Sequence, residues 1–225
     1  MRLVAKRLGP LDVPFVFVGG AVMPFLVDQP ELTEFRPTKD VDVIVKVVTY
    51  QEFSKLEARL RLVDFRHDSS EGAPICRWIV DECLVDVMPM DSALLGMNSK
   101  WFPEALDLAE LADLGENCSA KVVSPPVFLA TKLEAFKDRG KGDFYGSHDL
   151  EDIITLIDGR ATIVKEVYAA PEAIRDFIGS SFEKLLNSVD FRDAFPGHLS
   201  GLTGARERAE LVLRRFEAIS RRELK

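Results

Sequence analysis

The chain has 225 residues, 47% of them hydrophobic and 29% charged, with a formal net charge of −8. That length and mix belong to a folded protein with a real core, and the acidic balance argues against the uniformly basic surface that nonspecific nucleic-acid binding requires. No apolar stretch reaches the roughly 18 residues needed to span a bilayer, and Met1 to Pro10 lacks a long apolar region followed by a cleavage site, so the expectation is a cytoplasmic protein with no membrane partner.

Val13 to Val18 reads as a buried strand: short, continuous, β-branched and aromatic, and ended by Gly19-Gly20. Ala21 to Val27 then reads as a helix. A strand that turns through glycines into a helix presents free backbone N–H groups and a positive dipole end, which suits a phosphate, and the missing side chains let it approach closely. After a connection comes Arg36-Pro-Thr-Lys-Asp-Val-Asp-Val-Ile-Val-Lys46, a second strand. Its period-2 alternation puts Asp40 and Asp42 on one face and Val41, Val43 and Val45 on the other. Paired carboxylates beside a phosphate-sized turn suit Mg²⁺, which takes oxygen ligands and shares them with substrate phosphates.

Thr49 with Glu52 makes a capping-box pattern ahead of a helix to about Leu60, with Phe53, Leu56 and Leu60 as its apolar stripe. After the polar stretch Arg66 to Gly72, Ile75 to Val80 and Cys83 to Met88 read as a hairpin joined through Asp81-Glu82. The hairpin brings Asp86 beside the Asp40 strand. Asp86 stands alone at the polar position of its strand and would complete a clamp for two Mg²⁺ ions roughly 3.5 to 4 Å apart. Cys76, Cys83 and Cys118 lack C-x-x-C spacing and read as reduced thiols, mostly buried.

Asp91 to Asn98 reads as a loop, Trp101 to Leu114 as an acidic helix, and Lys121 to Val123 as a short edge strand. Ser124-Pro125 is a strong helix start for a helix to about Arg139. Leu129, Leu133 and Phe136 form its core face, with Lys132 and Arg139 beside them. Lys132 there can snorkel to solvent. Gly140 to Gly146 reads as a mobile turn from which Lys141 could sweep over a substrate. Ser147 to Asp158 is a helix with Leu150, Ile153, Ile154 and Ile157 as its apolar face and Asp149 and Asp152 on the rest of its surface. His148 beside the N-cap serine reads as a surface residue. Three further helices follow: Ile163 to Ala169, Pro171 to Asn187 and Arg206 to Leu224. In the last, Arg208, Arg214, Arg215, Arg221 and Arg222 form the best basic patch of the chain, with Glu207, Glu210, Glu217 and Glu223 to balance it.

The Gly-Gly turn, the Asp-x-Asp strand and the later lone Asp resemble the DNA polymerase β-type nucleotidyltransferase superfamily. Val85-Asp-Val-Met-Pro-Met-Asp91, Ser124-Pro-Pro-Val-Phe-Leu-Ala-Thr-Lys-Leu-Glu-Ala-Phe136 and Ser147-His-Asp-Leu-Glu-Asp-Ile153 are similar to its AbiEii-type toxin branch and related uncharacterised bacterial nucleotidyltransferases. The motifs span roughly Phe15 to Asp158. One departure is the long gap from Gly20 to Asp40, which makes Asp28 to Thr38 an insertion. The resemblance implies an α+β fold: a mixed β-sheet flanked by helices in residues 1–123, with a helical lobe in 124–225.

It also implies transfer of a nucleoside monophosphate from an NTP, with two Mg²⁺ ions on Asp40, Asp42 and Asp86, and Asp86 taking the proton of the attacking hydroxyl. Gly19, Gly20, Lys39, Lys132 and Asp149 would contact the nucleotide. Lys132 would reach its phosphates, and Asp149 or Asp152 would orient the lysine or the acceptor. For the AbiEii-type branch the implied acceptor is a tRNA end, held by the arginine-rich last helix, and the implied partner an antitoxin protein. A small-molecule acceptor such as an antibiotic hydroxyl, or a noncatalytic nucleotide- or partner-binding member of the fold, are the alternatives. No Ser-His-Asp arrangement, G-x-x-x-x-G-K-[ST] loop or His-rich ligand set stands beside these motifs.

Overall fold

The computed structural model describes residues 1–97, 99–140 and 142–222. The chain divides into two units, Met1–Phe25 with Arg36–Ser124, and Leu26–Phe35 with the residues from Pro125 onward. Asn98, Lys141, Glu223 and Leu224, which the reading above places in loops and in the last helix, lie outside the described residues.

The first unit carries, in chain order, α1 (Arg2–Leu8), β1 (Phe15–Val18), the start of α2 (Met23–Leu26), β2 (Asp40–Val45), α3 (Tyr50–Leu62), β3 (Arg66–His67), β4 (Arg77–Val80), β5 (Cys83–Pro89), α4 (Phe102–Asp107), β6 (Glu110–Asp113) and β7 (Ser119–Val122). Among the described residues, seven strands form one mixed sheet in the order β3-β4-β5-β2-β1-β7-β6. β2 runs antiparallel to β1 and parallel to β5, and β1 runs parallel to β7. The class is therefore α+β, as the sequence predicts.

Strand chemistry explains the centre of this sheet. Val16, Phe17, Val43, Ile44, Trp78, Val85 and Val87 are all fully buried, each worth about 1.5–3 kcal/mol of transfer for a side chain of valine size or larger. α4 packs on β1 and β2, and α1 against β7. α3 opens as predicted: Thr49 Oγ1 accepts from Glu52 N at 3.2 Å while Glu52 Oε2 accepts from Thr49 N at 3.2 Å. The hairpin of β4 and β5 also forms as predicted, with Asp81 and Glu82 at φ of 46° and 64° in its two-residue turn. Positive φ at both central residues matches the right-handed twist of the flanking strands.

Two expectations fail here. The helix expected over Trp101 to Leu114 ends at Asp107. Glu110–Asp113 instead pairs antiparallel with Ser119–Val122 through a tight turn at Gly115, Glu116 and Asn117, all at positive φ. The helical spacing of Trp101, Ala105, Leu108 and Ala112 loses to ladder hydrogen bonds that satisfy the backbone at the sheet margin. β7 is consequently an interior strand between β1 and β6, and β6 is the edge.

The second unit is helical: α5 (Pro125–Arg139), α6 (His148–Gly159), α7 (Ile163–Ala169), α8 (Glu172–Asn187), α9 (Val189–Ala194) and α10 (Ala205–Arg221). Ser147 caps α6, its hydroxyl accepting from Leu150 N at 3.4 Å. Phe128, Leu150, Ile153, Phe182, Phe191 and Phe216 are fully buried, and the rings of Phe182 and Phe216 stack at 4.1 Å. α9 is the helix the sequence pattern misses, a six-residue element capped by Ser188. Residues 143–146 make bonds and ring contacts of their own. Asp143 Oδ1 accepts from Tyr145 N and Gly146 N at 3.1 and 2.8 Å, and the Phe144 ring lies 5.5 Å from Phe136 and 6.2 Å from Phe191.

Candidate active site

In the first unit, β2 sits between β1 and β5, so its polar residues are flanked on both sides. Asp42 is in register with Val18 on β1 and with Asp86 on β5, and Asp40 is in register with Leu84. Register partners and i, i+2 neighbours share a face, so Asp40, Asp42 and Asp86 share one. That face closes quickly. Two residues beyond Asp42, Ile44 and its register partner Met88 are buried, which leaves the carboxylates at the open end of an otherwise covered surface.

Gly19 has a task that its sequence context does not predict. Its backbone stands at φ 70° and ψ −168°, a region essentially reserved for glycine. A Cβ built there would lie 1.9 Å from Asp42 Oδ2. The bare Cα thus makes room for the Asp42 carboxylate. Gly20 opens the short 3-10 turn Gly20–Val22 that leads into α2.

The residue the sequence reading missed is Arg77. On β4 it lies opposite Asp86, and its guanidinium donates from Nε to Asp86 Oδ1 at 2.8 Å and from Nη2 to Asp86 Oδ2 at 2.8 Å. The same Nη2 donates to Asp40 Oδ2 at 2.6 Å. These bonds to Asp86 raise the Arg77 pKa against the opposing effect of burial, with the charges of Asp86 and Asp40 adding to them. A signal for it was present: a two-residue turn at Asp81-Glu82 pairs Val80 with Cys83, and counting back along the ladder puts Arg77 across from Asp86. Next to it the buried Cys76 thiol is pushed up to about 12 by desolvation and then by the Asp86 charge.

Lys39 is exposed and lines, with Arg2, Ala21, Phe25, Asp40 and Cys83, a cavity of about 420 Å³ at the first residues of β2 and β5. The donor set on the face is chemically right for a hard cation, since Asp40 and Asp42 offer carboxylate oxygens. Asp86 differs, because both of its oxygens already accept from Arg77. Among the described residues no three His, Cys, Asp or Glu side chains stand as a metal-holding cluster.

The other predicted site residues, Lys132, Asp149 and Asp152, lie together within the second unit. Lys132 on α5 is 8% exposed, with Nζ 3.2 Å from Asp149 Oδ1 and 2.6 Å from Asp152 Oδ2 on α6. Arg139 forks onto Asp149, Nε to Oδ2 and Nη2 to Oδ1, both at 2.9 Å. The lysine does not snorkel, and the two aspartates are buried at 6% each rather than on the helix surface. Burial pushes the Asp149 carboxyl up, but the Arg139 hydrogen bonds and the charges of Lys132 and Arg139 outweigh it and hold the pKa below its ordinary value. His148 is exposed, its Nδ1 3.4 Å from Glu151 Oε2.

The arginines of α10 are largely engaged within the second unit. Arg208 forks onto Asp158, and Arg215 Nη1 donates to the carbonyls of Ile157 and Asp158 at the end of α6. Arg221 and Arg222 lie 3.6 and 3.4 Å from Glu217 and Asp176.

What these features define is an α+β chain with three carboxylates and one arginine on an open end of a mixed sheet. No protein-family model matches the sequence, and no curated protein matches it. Among solved structures the chain is similar to an antigenic nucleotidyltransferase-like protein from Paracoccidioides brasiliensis, at 17% identity over 93% of this chain and 90% of that one, with a TM-score of 0.49. It is also similar to JHP933 from Helicobacter pylori, at 13% identity over 99% of this chain and 89% of that one, with a TM-score of 0.49.

Proposed function

We propose that the chain is a nucleotidyltransferase that moves a nucleoside monophosphate from an NTP to an acceptor hydroxyl. The observation that carries this reading is the Asp42 carboxylate set against the bare Cα of Gly19, in register with Asp86 and two residues from Asp40. Fixed carboxylates at a strand end, beside a cavity with a lysine at its rim, suit the binding and in-line displacement of a metal-bound triphosphate.

In this reading the acceptor oxygen bonds to the α-phosphorus as the α–β bridging P–O bond breaks. Pyrophosphate leaves with the electron pair, and the hydroxyl proton passes to a carboxylate of the face. Asp40 and Asp42 are the residues that would hold Mg²⁺, which when bound supplies positive charge to the triphosphate. Gly19 keeps Asp42 in place by its lack of a side chain. Lys39 draws the anionic triphosphate to the cavity, and Phe25 offers an apolar wall for the base.

The acceptor in this reading is a small hydroxyl compound. Supporting that choice, Arg208 and Arg215, the proposed holders of a tRNA backbone, donate to Asp158 and to the end of α6 instead. The test is incubation with each α-labelled NTP, Mg²⁺ and either bulk tRNA or a panel of aminoglycoside and nucleoside hydroxyl acceptors, beside Asp42→Ala. Label moved to a small acceptor and lost in the variant is the expected result. Label moved to tRNA would keep the transferase and replace its acceptor. Absence of both transfer and Mg²⁺-dependent NTP binding would sink the reading.

A further inference from the structure

Within that nucleotidyl-transfer reading, the place expected for a second cation already holds a positive charge. Arg77 meets Asp86 side-on, one nitrogen to each oxygen, and shares Nη2 with Asp40. This fork uses the same in-plane oxygen lone pairs that a chelating metal would use. The side chains of Arg77 and Asp86 are only 19% and 10% exposed, so water competes poorly for the pair, and a cation that took the Asp86 oxygens would leave a largely buried guanidinium without that partner. The Asp42 carboxylate lies beside the bare Cα of Gly19.

We infer that Arg77 is a built-in substitute for one divalent cation, so that the face takes a single ion, at Asp40 and Asp42, and admits a second only when Arg77 is removed. Asp86 on this view is a partner of Arg77 and not a metal ligand of the native chain.

The experiment is a Mn²⁺ titration of the full chain, with bound ion read by electron paramagnetic resonance in the presence of a nonhydrolysable ATP analogue. The native chain should bind one Mn²⁺ and Arg77→Met two, with the double variant Arg77→Met/Asp86→Asn returning to one. Two ions in the native chain, or one in folded Arg77→Met, overturn the inference and leave the transferase reading standing. Because Arg77→Met strips the partner from two carboxylates, the double variant Arg77→Met/Asp86→Asn, which keeps the net charge of the face, also serves as an independent arm. Its Mn²⁺ affinity should match the parent's, and a loss of about tenfold or more, the scale of removing a metal-site group, overturns the inference. No Mn²⁺ bound to any folded chain removes the cation from the face altogether, and this inference with it.

Discussion

A single methyl group at Gly19 would collide with the Asp42 carboxylate and force a φ of 70° on a residue with a side chain. Gly19→Ala is therefore expected to lose about 1–3 kcal/mol of stability, the usual strain of such backbone, and to lose Mg²⁺-dependent NTP binding. Denaturant melts and calorimetric titration check the two parts, and a variant that binds NTP like the parent would separate Asp42 from the site. The pair illustrates what is legible at this scale. Gly19 and Asp42 each stand out in the sequence, but the reason for the glycine lies in the register of β1 on β2, which sets Val18 opposite Asp42. Lys132 is the opposite case, visible as a basic residue at the margin of an apolar helix face but not as the centre of a buried ion cluster. Lys132→Met should cost about 3–5 kcal/mol, because it removes the lysine charge shared by buried Asp149 and Asp152, and adding Asp152→Asn should recover part of the loss in thermal melts. Asp149 brings a pH dependence. Its folded pKa is depressed, so the stability it contributes is complete above the ordinary carboxyl value of about 3.9 and is lost as pH falls below that through its lower folded value. Asp149→Asn should flatten that acid limb of a stability-against-pH curve, and an unchanged limb would assign it to other groups.

Elements with a strong local signal were readable directly. The capping box of α3, the Ser124-Pro125 start of α5 and the serine cap of α6 involve neighbours in the chain, so their physics is written in a few adjacent residues. β6 was not, because Glu110–Asp113 is mostly exposed and acidic, and it becomes a strand only through the partner that follows the turn at Gly115. α9 is six residues long and separated from α8 by Ser188 alone, too short a stretch to show a helical period of its own. Packing between elements yields the prediction that belongs here. Gly179 on α8 lets α10 approach until a Cβ at that position would lie 3.3 Å from the Ile219 carbonyl oxygen. Gly179→Leu should therefore overpack this contact and lower stability by about 1–3 kcal/mol. Thermal denaturation reads the loss, and an unchanged melting temperature would mean that the two helices part without cost.

For the molecule as a whole, a net charge of −8 combines with an α10 in which Arg208 and Arg215 are turned to an acidic partner and to carbonyls. Binding to tRNA should then be weak at physiological salt, with a salt slope no steeper than about two released counterions. Fluorescence anisotropy across a salt series measures it, and a steep slope would reveal a basic surface that these pairings leave available. The broad class, mixed sheet first and helices after, was legible because apolar runs of strand length give way to long amphipathic periods after Ser124. What the order of residues did not disclose is that Leu26–Phe35 belongs with the helices that follow Pro125. Its ties are made late: Asp28 N donates to Gly159 O, Ala161 N to Asp28 Oδ2, and Arg160 Nη1 to the Leu26 carbonyl. Asp28 and Ala161 are 133 positions apart, so at a synthesis rate of about 5–20 residues per second this segment waits roughly 7–27 s for its partners to be made. For that interval the nascent chain on the ribosome carries Leu26 and Val27, buried to 1% and 6% exposure in the finished protein, uncovered. They are a temporary foothold for a chaperone, or for the wrong neighbour.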